Sequence, residues 1–339
     1  MRTPKSRIPN PKSKITPGRS SRSPAPSPQS QAPSPRSPGS LLVVGSVAFD
    51  SVRSPYGTAE NILGGAASYL AIAASWFAPV RVVAVVGDDL GDEHLRVFQD
   101  RGIDTAGLAR TRGKTFRWSG EYTGDMSEAR TLDTQLNVFA QFSPTLPGAY
   151  LDSEFVFLGN IDPRLQLHVR RQLPRARLVG LDSMNYWIKG TPEALKKALA
   201  EVDLLLINET EARMLSGIVN LKQAAEAIRK LGPATLVLKR GEHGVTLFSE
   251  GGIFSAPAFP LDDVRDPTGA GDSFAGGFMG YLAKIGNLSD AQLRRAVIYG
   301  SVMASFAVEE FGLSRLLRLT PEEIEARYRG FKALTHFDV

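Results

Sequence analysis

Short apolar segments alternate with helix-length segments along most of this chain, and this alternation limits the fold more than any other feature. The apolar segments have the length and composition of buried strands. In chain order they are 41–45, 81–86, 155–158, 178–181, 204–207 and 236–239. Strands that alternate with helices form a parallel sheet covered on both faces. The sequence therefore predicts an α/β fold with three αβα layers and a mostly parallel central sheet.

The first forty residues differ in composition from the rest of the chain. They contain ten Ser, ten Pro and eight Lys or Arg, and no acidic residue. Such a segment buries too little apolar area to fold, and it lacks the apolar core of a secretory signal. We expect 1–40 to be a disordered tail, or to reflect a start codon placed too far upstream. The folded domain is then expected over 41–335.

The net charge of +5 comes from this tail. Without it, 32 of the 40 basic residues remain against 35 acidic ones, which gives a net charge of −3. The folded part therefore gives no reason to expect nucleic acid as a partner. No apolar run reaches 18 residues, so no membrane span is expected. The absence of cysteine excludes disulfides and thiolate metal sites and fits a cytoplasmic protein.

Residues 266–272 read Asp-Pro-Thr-Gly-Ala-Gly-Asp and come directly before an apolar segment of helical length. Gly269 and Gly271 allow a sharp turn and the close approach of a ligand. A turn that opens a helix leaves N–H groups unpaired, and together with the helix dipole they bind anions. Asp272 would lie beside this anion site and could accept the proton of an attacking hydroxyl. The alternative is a glycine-rich helix start that Asp272 only caps.

This stretch resembles the C-terminal signature of the ribokinase-like (PfkB) family of sugar and nucleoside kinases, although Pro267 replaces the family's usual threonine. The resemblance implies that Asp272 is the catalytic base. It also implies that the backbone of Gly269, Ala270 and Gly271 forms the anion hole. In some relatives the residues equivalent to Asp266 and Thr268 contribute to a potassium site, which the sequence leaves open.

The resemblance also implies a small β-sheet that acts as a lid over the acceptor, contributed by about 51–61 and 114–142. The second segment carries the pattern of a half-exposed strand, because apolar residues alternate there with polar ones. A partner strand is expected over 131–142. Trp118 and Tyr122 either touch the acceptor or pack in the half-buried face of the lid. A homodimer through the lid is a further expectation.

A second signature precedes an alanine-rich helix. Asp50 follows the first strand in a predicted loop, and Gly64 and Gly65 come before the helix. By resemblance, Asp50, Gly64, Gly65 and Tyr69 bind the acceptor's hydroxyls. Tyr69 departs from the family, which usually has Asn there, and Met184 departs in the same way after a later strand. The alternative is that the glycine pair only breaks the chain and Asp50 is a solvated loop residue.

The Asn208-Glu209-Thr210-Glu211 segment follows the strand at 204–207 and resembles the family's Asn-x-x-Glu motif. The resemblance implies that Asn208 contacts phosphate and that Glu211 organises Mg²⁺, directly or through water, as suits a hard cation. The alternative is a helix start with Asn208 as N-cap.

The remaining nucleotide-binding candidates come from a strand end and a late helix. By resemblance they are Lys239, Gly241, Gly244 and Gly300. Lys239 either neutralises phosphate or is a solvated charge. Asn160, Asp162 and Asp182 directly follow strands, where ligand sites of such sheets gather, and are further candidates.

These motifs together predict an ATP- and Mg²⁺-dependent kinase that transfers the γ-phosphoryl group to a primary hydroxyl of a sugar. A nucleoside kinase of the same fold and a non-catalytic kinase-like scaffold are the alternatives. A serine hydrolase is a third class, because Gly271-Asp272-Ser273 resembles a nucleophile turn. That class lacks the Gly-x-Ser-x-Gly pattern, since Ala275 occupies the last position.

Overall fold

The computed structural model describes residues 39–124, 126 and 128–336. The predicted disordered tail therefore lies almost entirely outside the described residues. The strands, in chain order, are β1 (Leu41–Val44), β2 (Ala48–Ser54), β3 (Gly57–Gly64), β4 (Val80–Val86), β5 (Asp104–Arg110), β6 (Phe116–Glu121), β7 (Arg130–Gln135), β8 (Phe155–Leu158), β9 (Leu178–Asp182), β10 (Leu204–Asn208), β11 (Thr235–Lys239), β12 (Val245–Ser249) and β13 (Gly252–Ala256).

The helices alternate with these strands over most of the chain. They are α1 (Ala66–Ala74), α2 (Asp92–Asp100), α3 (Pro163–Arg171), α4 (Asn185–Gly190), α5 (Pro192–Leu199), α6 (Glu209–Ser216), α7 (Leu221–Arg229), α8 (Ala270–Ile285), α9 (Asp290–Ala307), α10 (Ser314–Leu317) and α11 (Pro321–Thr335).

Nine strands form the central sheet in the order β13-β12-β11-β10-β9-β8-β1-β4-β5. The pairs from β11 to β5 are parallel, whereas β12 and β13 join antiparallel at one edge. Alternate side chains of β1 point to opposite faces, so Leu41 and Val43 enter one hydrophobic core and Leu42 and Val44 enter the other. The first core is shared with α1, α8 and α9, and the second with α3, α5 and α7. The predicted three-layer α/β fold is confirmed.

A separate four-stranded sheet has the order β3-β2-β6-β7 and corresponds to the predicted lid. It begins earlier than expected, because β2 starts at Ala48 and pairs with both β3 and β6. Asp50 therefore lies in a strand, and its prediction as a loop residue was wrong. The short polar segment around it looks like a loop in the sequence, but β6, far along the chain, supplies its pairing partner.

The return strand of the lid ends at Gln135 rather than at Phe142. Asn137 adopts a positive φ of 50°, and residues 137–141 form a 3₁₀ helix. The Phe139 ring stacks between the rings of Phe116 and Phe142, which turns these apolar residues away from the strand.

Two elements at the C-terminal end depart from expectation. The sequence predicts the last long helix over 293–308, which corresponds to α9, but α11 follows it. Thr320 and Glu323 cap α11 reciprocally, and Pro321 occupies its first turn. The antiparallel hairpin of β12 and β13 was also not predicted.

Helices α1 and α8 pack so closely that their backbones touch at glycine. A β-carbon at Gly276 would overlap the carbonyl oxygen of Leu70 in α1, and one at Gly280 would lie 2.9 Å from Cα of Ala74. On the other side of α8, a β-carbon at Gly277 would lie 2.6 Å from the carbonyl oxygen of Tyr299 in α9. Side chains at these positions would push the helices apart.

This packing predicts that Gly276→Ala destabilises the protein. Alanine gains up to about 1 kcal/mol of helix propensity, but overpacking against a rigid backbone costs about 1–3 kcal/mol. We expect the cost of overpacking to exceed the gain in helix propensity. Urea unfolding would then show a lower midpoint for Gly276→Ala than for wild type. Gly190→Ala is the matched control, since no atom lies within 4 Å of its β-carbon position. A Gly276→Ala midpoint equal to that of the control would contradict this packing.

Candidate active site

The predicted anion site lies at the N-terminus of α8. Gly269 is the N-cap residue with a left-handed φ of 73°, a conformation that favours glycine, and no side chain caps the helix. The interpretation of Asp272 as a capping residue is therefore wrong. The Ala270 N–H donates to the Pro267 carbonyl (3.1 Å) and the Ser273 N–H to the Gly269 carbonyl (2.8 Å). The intervening Gly271 N–H belongs to the groups that a helix start offers to an anion.

Lys239 brings a positive charge to this helix start. It is the last residue of β11, and a β-carbon at Gly271 would lie 2.9 Å from its Nζ atom. The ammonium group therefore lies directly beside Gly271. The alternative of a freely solvated charge does not describe Lys239, since its side chain is 19% exposed and its Nζ lies 3.3 Å from Asp182 Oδ2.

Asp272 lies in the first turn of α8, beside this ammonium group. Burial of its carboxyl group, together with the negative charges of Asp182 and Asp50, raises the pKa of Asp272 to about 7, although Lys239 opposes the shift. A carboxylate with a pKa near neutrality is well matched to proton abstraction. The charge of Asp50 acts on Asp272, so the two signatures lie near each other.

Asp50 comes into this site from lid strand β2. Its Oδ2 atom accepts the Gly65 N–H at 3.2 Å, and a β-carbon at Gly64 would overlap the same carboxylate. Gly65 has a φ of 87°, which lets its N–H turn towards Asp50. Asp50 is 4% exposed, and burial raises its pKa to about 7. The alternative of a solvated acid beside a mere chain break is therefore wrong.

Tyr69 connects the acceptor signature to the anion site. Its ring lies against Gly269, where a β-carbon would overlap the ring carbons. The side chain is 1% exposed, and its hydroxyl has no hydrogen-bond partner among the residues that the structure describes. Burial, then the negative charge of Asp50, raises its pKa well above the usual value. Such a hydroxyl is ready to bond a ligand.

Asp266 and Thr268 stabilise the turn that leads to α8. The Asp266 carboxylate accepts the N–H groups of Thr268 (2.9 Å) and Gly312 (3.0 Å) and is fully buried. The Thr268 hydroxyl lies 3.3 Å from that of Tyr122, whose pKa burial raises to about 12. Both carboxylate oxygens of Asp266 thus accept hydrogen bonds from backbone N–H groups. The potassium site stays a prediction.

Asn208 and Glu211 form a reciprocal cap at the start of α6. Asn208 Oδ1 accepts the Glu211 N–H, and Glu211 Oε2 accepts the Asn208 N–H, both at 2.7 Å. The helix-cap interpretation therefore describes the geometry of the motif. Burial and the charge of Asp182 nevertheless raise the pKa of Glu211 to about 7, so its carboxyl group shares the electrostatic field of the site.

The donor atoms here suit Mg²⁺ through its water shell. Within residues 39–336, leaving out 125 and 127, no three His, Asp or Glu side chains form a metal-binding cluster. Magnesium typically uses one or two carboxylates, with water and phosphate completing the shell. Glu211 provides a hard carboxylate of the kind that such a shell needs.

The predicted nucleotide-binding glycines have different surroundings. Gly241 has a φ of 55° and open space beside it. Gly244 has a φ of 84° and packs against the Ala256 carbonyl oxygen, while Gly300 packs against the Phe274 carbonyl oxygen at 2.9 Å. Their nucleotide contacts stay predictions, because the packing alone explains glycine at 244 and 300.

Only one of the three strand-end candidates reaches this site. Asn160 accepts a hydrogen bond from the Trp187 indole (3.0 Å), and Asp162 is the N-cap of α3. Asp182 instead pairs with Lys239 and influences Asp272. Its position directly after β9 was the only sequence signal, and it did not separate Asp182 from the other two.

The hydrolase interpretation fails at Ser273. This serine is 0% exposed, in a helix packed on both sides, so its hydroxyl cannot meet a substrate from solution. A nucleophile must be reachable and hydrogen-bonded to a base.

Comparisons with known proteins agree with this geometry. The model of the pfkB family of carbohydrate kinases matches residues 39–318. The chain belongs to this family. It is 31% identical to a cytidine kinase of Thermococcus kodakarensis over 245 residues, which cover 70% of this chain and 87% of that protein. It is 25% identical to a nucleoside kinase of Methanothermobacter thermautotrophicus, covering 84% and 94% of the two chains.

A crystal structure of aminoimidazole riboside kinase from Salmonella enterica, complexed with aminoimidazole riboside and an ATP analogue, has the same fold. The TM-score is 0.69 with 21% identity, and the match covers 86% of this chain and 100% of that chain. The PfkB kinase is therefore an enzyme of the ribokinase-like fold. No helix among its described residues is long and apolar enough to cross a membrane.

The raised pKa of Asp272 predicts a pH-dependent cost in stability. The folded state binds this proton up to about pH 7, whereas the unfolded carboxyl loses it near pH 3.8, so stability falls as pH rises between these values. Asp272→Asn removes the buried charge. Above pH 7, we expect the melting temperature of this variant to exceed that of wild type by roughly 2–4 °C. Below pH 4, we expect this difference to vanish.

Differential scanning calorimetry of the two proteins at pH 4, 6 and 8 would measure this difference. Asp133→Asn, in exposed lid strand β7, is the control and should show no such trend. If the difference in melting temperature between Asp272→Asn and wild type were the same at all three pH values, the raised pKa of Asp272 would be contradicted.

Proposed function

We propose that this PfkB kinase transfers the γ-phosphoryl group of ATP to a primary hydroxyl of a nucleoside, with Asp272 as general base. The observation that carries the proposal is the convergence of Asp272, Asp50 and Lys239 at the start of α8. A half-buried carboxylate with a pKa of about 7 lies in the first turn of α8, where Lys239 supplies a positive charge.

The chemical step follows from these positions. The acceptor's hydroxyl lies between Asp50 and Asp272, and Asp272 removes its proton as the oxygen attacks the γ-phosphorus. The bond between that phosphorus and the β,γ-bridging oxygen breaks, and ADP leaves with the electron pair. The backbone of Gly269, Ala270 and Gly271, together with the Lys239 ammonium, stabilises the negative charge on the transferred group. Positioning and electrostatics of this kind supply most of the catalysis in phosphoryl transfer.

Asn208 and Glu211 would serve the donor's phosphates. Bound Mg²⁺ would supply charge neutralisation between the β- and γ-phosphates, and Glu211 would hold its water shell. The part of ATP away from the phosphates is proposed to contact Gly241, Gly244 and Gly300. A potassium ion at Asp266 and Thr268, a homodimer through the lid and a cytoplasmic location stay predictions.

Two observations favour a nucleoside as the acceptor. Two of its relatives are named as a cytidine kinase, 31% identical over 245 residues, and a nucleoside kinase, 25% identical over 302 residues. In addition, Trp118 pairs with Asp50 across β2 and β6, so both side chains lie on the same face of the lid. The Trp118 indole lies over Gly120 and would offer a flat aromatic surface on that face. A nucleobase stacks well on such a surface.

A sugar acceptor is the second candidate. The matching family model is described as one of carbohydrate kinases, and Asp50 with the Gly65 N–H can bind any vicinal hydroxyls. A panel of nucleosides and sugars, assayed by ADP release, decides between the two.

Asp272→Asn is expected to lower kcat by at least about 10³-fold, since the general base and its charge are lost together. ATP affinity should stay within about threefold of wild type, because the donor's contacts lie elsewhere. Isothermal titration with Mg·ATP and an ADP-release assay measure the two quantities. Retained turnover in this variant would overturn the proposed base.

Trp118→Leu tests the nature of the acceptor. If a base stacks on the indole, KM for the nucleoside should rise by about tenfold or more, since stacking on one base is worth roughly 1–3 kcal/mol. KM for ATP should not change. Free ribose is the control acceptor, because it has no base to stack. An equal loss for ribose and nucleoside would favour the sugar kinase.

A further inference from the structure

Asp182 is the charged residue of this site that no sequence motif assigns. It ends β9, and β10 separates it from Lys239 at the end of β11. Its Oδ1 atom accepts the Ser183 N–H at 2.7 Å, and its Oδ2 atom lies 3.3 Å from Lys239 Nζ. The Gln166 side chain also donates to the Asp182 carbonyl at 2.9 Å. The carboxylate is therefore fixed at both oxygens and 6% exposed.

Lys239 needs such a fixed partner. Its ammonium group ends a flexible four-carbon chain, and the entropy of that chain opposes a single position. Burial would lower the pKa of Lys239, but Asp182, Glu211 and Asp272 together raise it, so the group stays charged. Of these three carboxylates, Asp182 is the one that hydrogen-bonds the ammonium.

We propose that Asp182 is a positioning residue that holds the Lys239 ammonium beside Gly271, where the lysine contacts the phosphoryl group in transfer. An ammonium has three N–H donors, so it can keep its bond to Asp182 and donate a second one to a phosphoryl oxygen. The nature of the anion rests on the proposed function, whereas the hold of Asp182 on Lys239 does not.

A purely structural ion pair is the competing explanation. Loss of one partner from a buried pair destabilises a protein whatever the pair does. It would lower the melting temperature, but it would leave the turnover of the folded fraction unchanged. The two explanations therefore differ in kcat and in the reactivity of Lys239.

The first experiment needs no acceptor. Full-length wild type, Asp182→Asn and Asp182→Glu are treated with limiting acetic anhydride at one pH, and acetylation of Lys239 is quantified by peptide mass spectrometry against exposed Lys284. We expect Asp182→Asn to react about tenfold faster at Lys239, because the unpaired amine loses its proton more readily. Asp182→Glu keeps the charge and should react nearly as slowly as wild type.

The second experiment is a double-mutant cycle in kcat. Lys239→Gln should lower kcat by about 10²–10³-fold, as for the loss of one donor to a transition-state anion. Asp182→Asn should lower it by about 10–100-fold through misplacement of that donor, with KM for the acceptor unchanged. The double variant should be no slower than Lys239→Gln, because Asp182 acts through the lysine.

Glu154→Gln is the control, since Glu154 pairs with Arg177 at 2.9 Å at the opposite end of the same sheet. It should match wild type in kcat and in Lys239 acetylation. Wild-type kcat or unchanged acetylation in Asp182→Asn, or multiplicative losses in the double variant, would overturn the proposal. If wild type phosphorylates no acceptor of the panel, the proposed function fails, and the acetylation rates still decide whether Asp182 holds Lys239.

Discussion

Close packing of α1 on α8 is the constraint on which the site depends. The two signatures lie about two hundred residues apart in the chain, at Gly64–Gly65 and at Gly269–Gly271. They meet because Gly276 lets the two helix backbones touch, and because the Tyr69 ring lies against the Gly269 turn. Asp50, which accepts the Gly65 N–H, and the Gly269 turn thereby lie at one end of a common helix pair.

The charges of the site oppose the stability of the fold. Asp50, Glu211 and Asp272 are removed from water and carry pKa values near 7, which means that their ionised forms are disfavoured at neutral pH. Lys239 is the cation that partly offsets them. Functional sites commonly keep such unfavourable charges, because a base must be ready to take a proton and an anion site must await its ligand.

The lid sheet supplies one of the acidic residues of the candidate site. Strand β2 belongs to the lid, yet it follows β1 of the central sheet after only three residues. Asp50 therefore belongs to the lid sheet, and the Gly65 N–H at the start of α1 holds its carboxylate. Trp118 lies on the same face of the lid through the β2–β6 register, so residues from distant parts of the chain lie side by side there.

The sequence by itself determined the layer architecture, because this depends on local periodicity. The lid as a separate sheet followed from the family resemblance, and the anion turn stays a prediction based on glycine at fixed positions. The sequence could not place Asp50 in a strand or end β7 at Gln135, since distant pairing and aromatic stacking decide those boundaries. It also could not choose Asp182 from Asn160 and Asp162, which occupy equivalent places after strands. Only the tertiary structure decided that choice, because the carboxylate's role depends on Lys239, which a neighbouring strand brings within 3.3 Å.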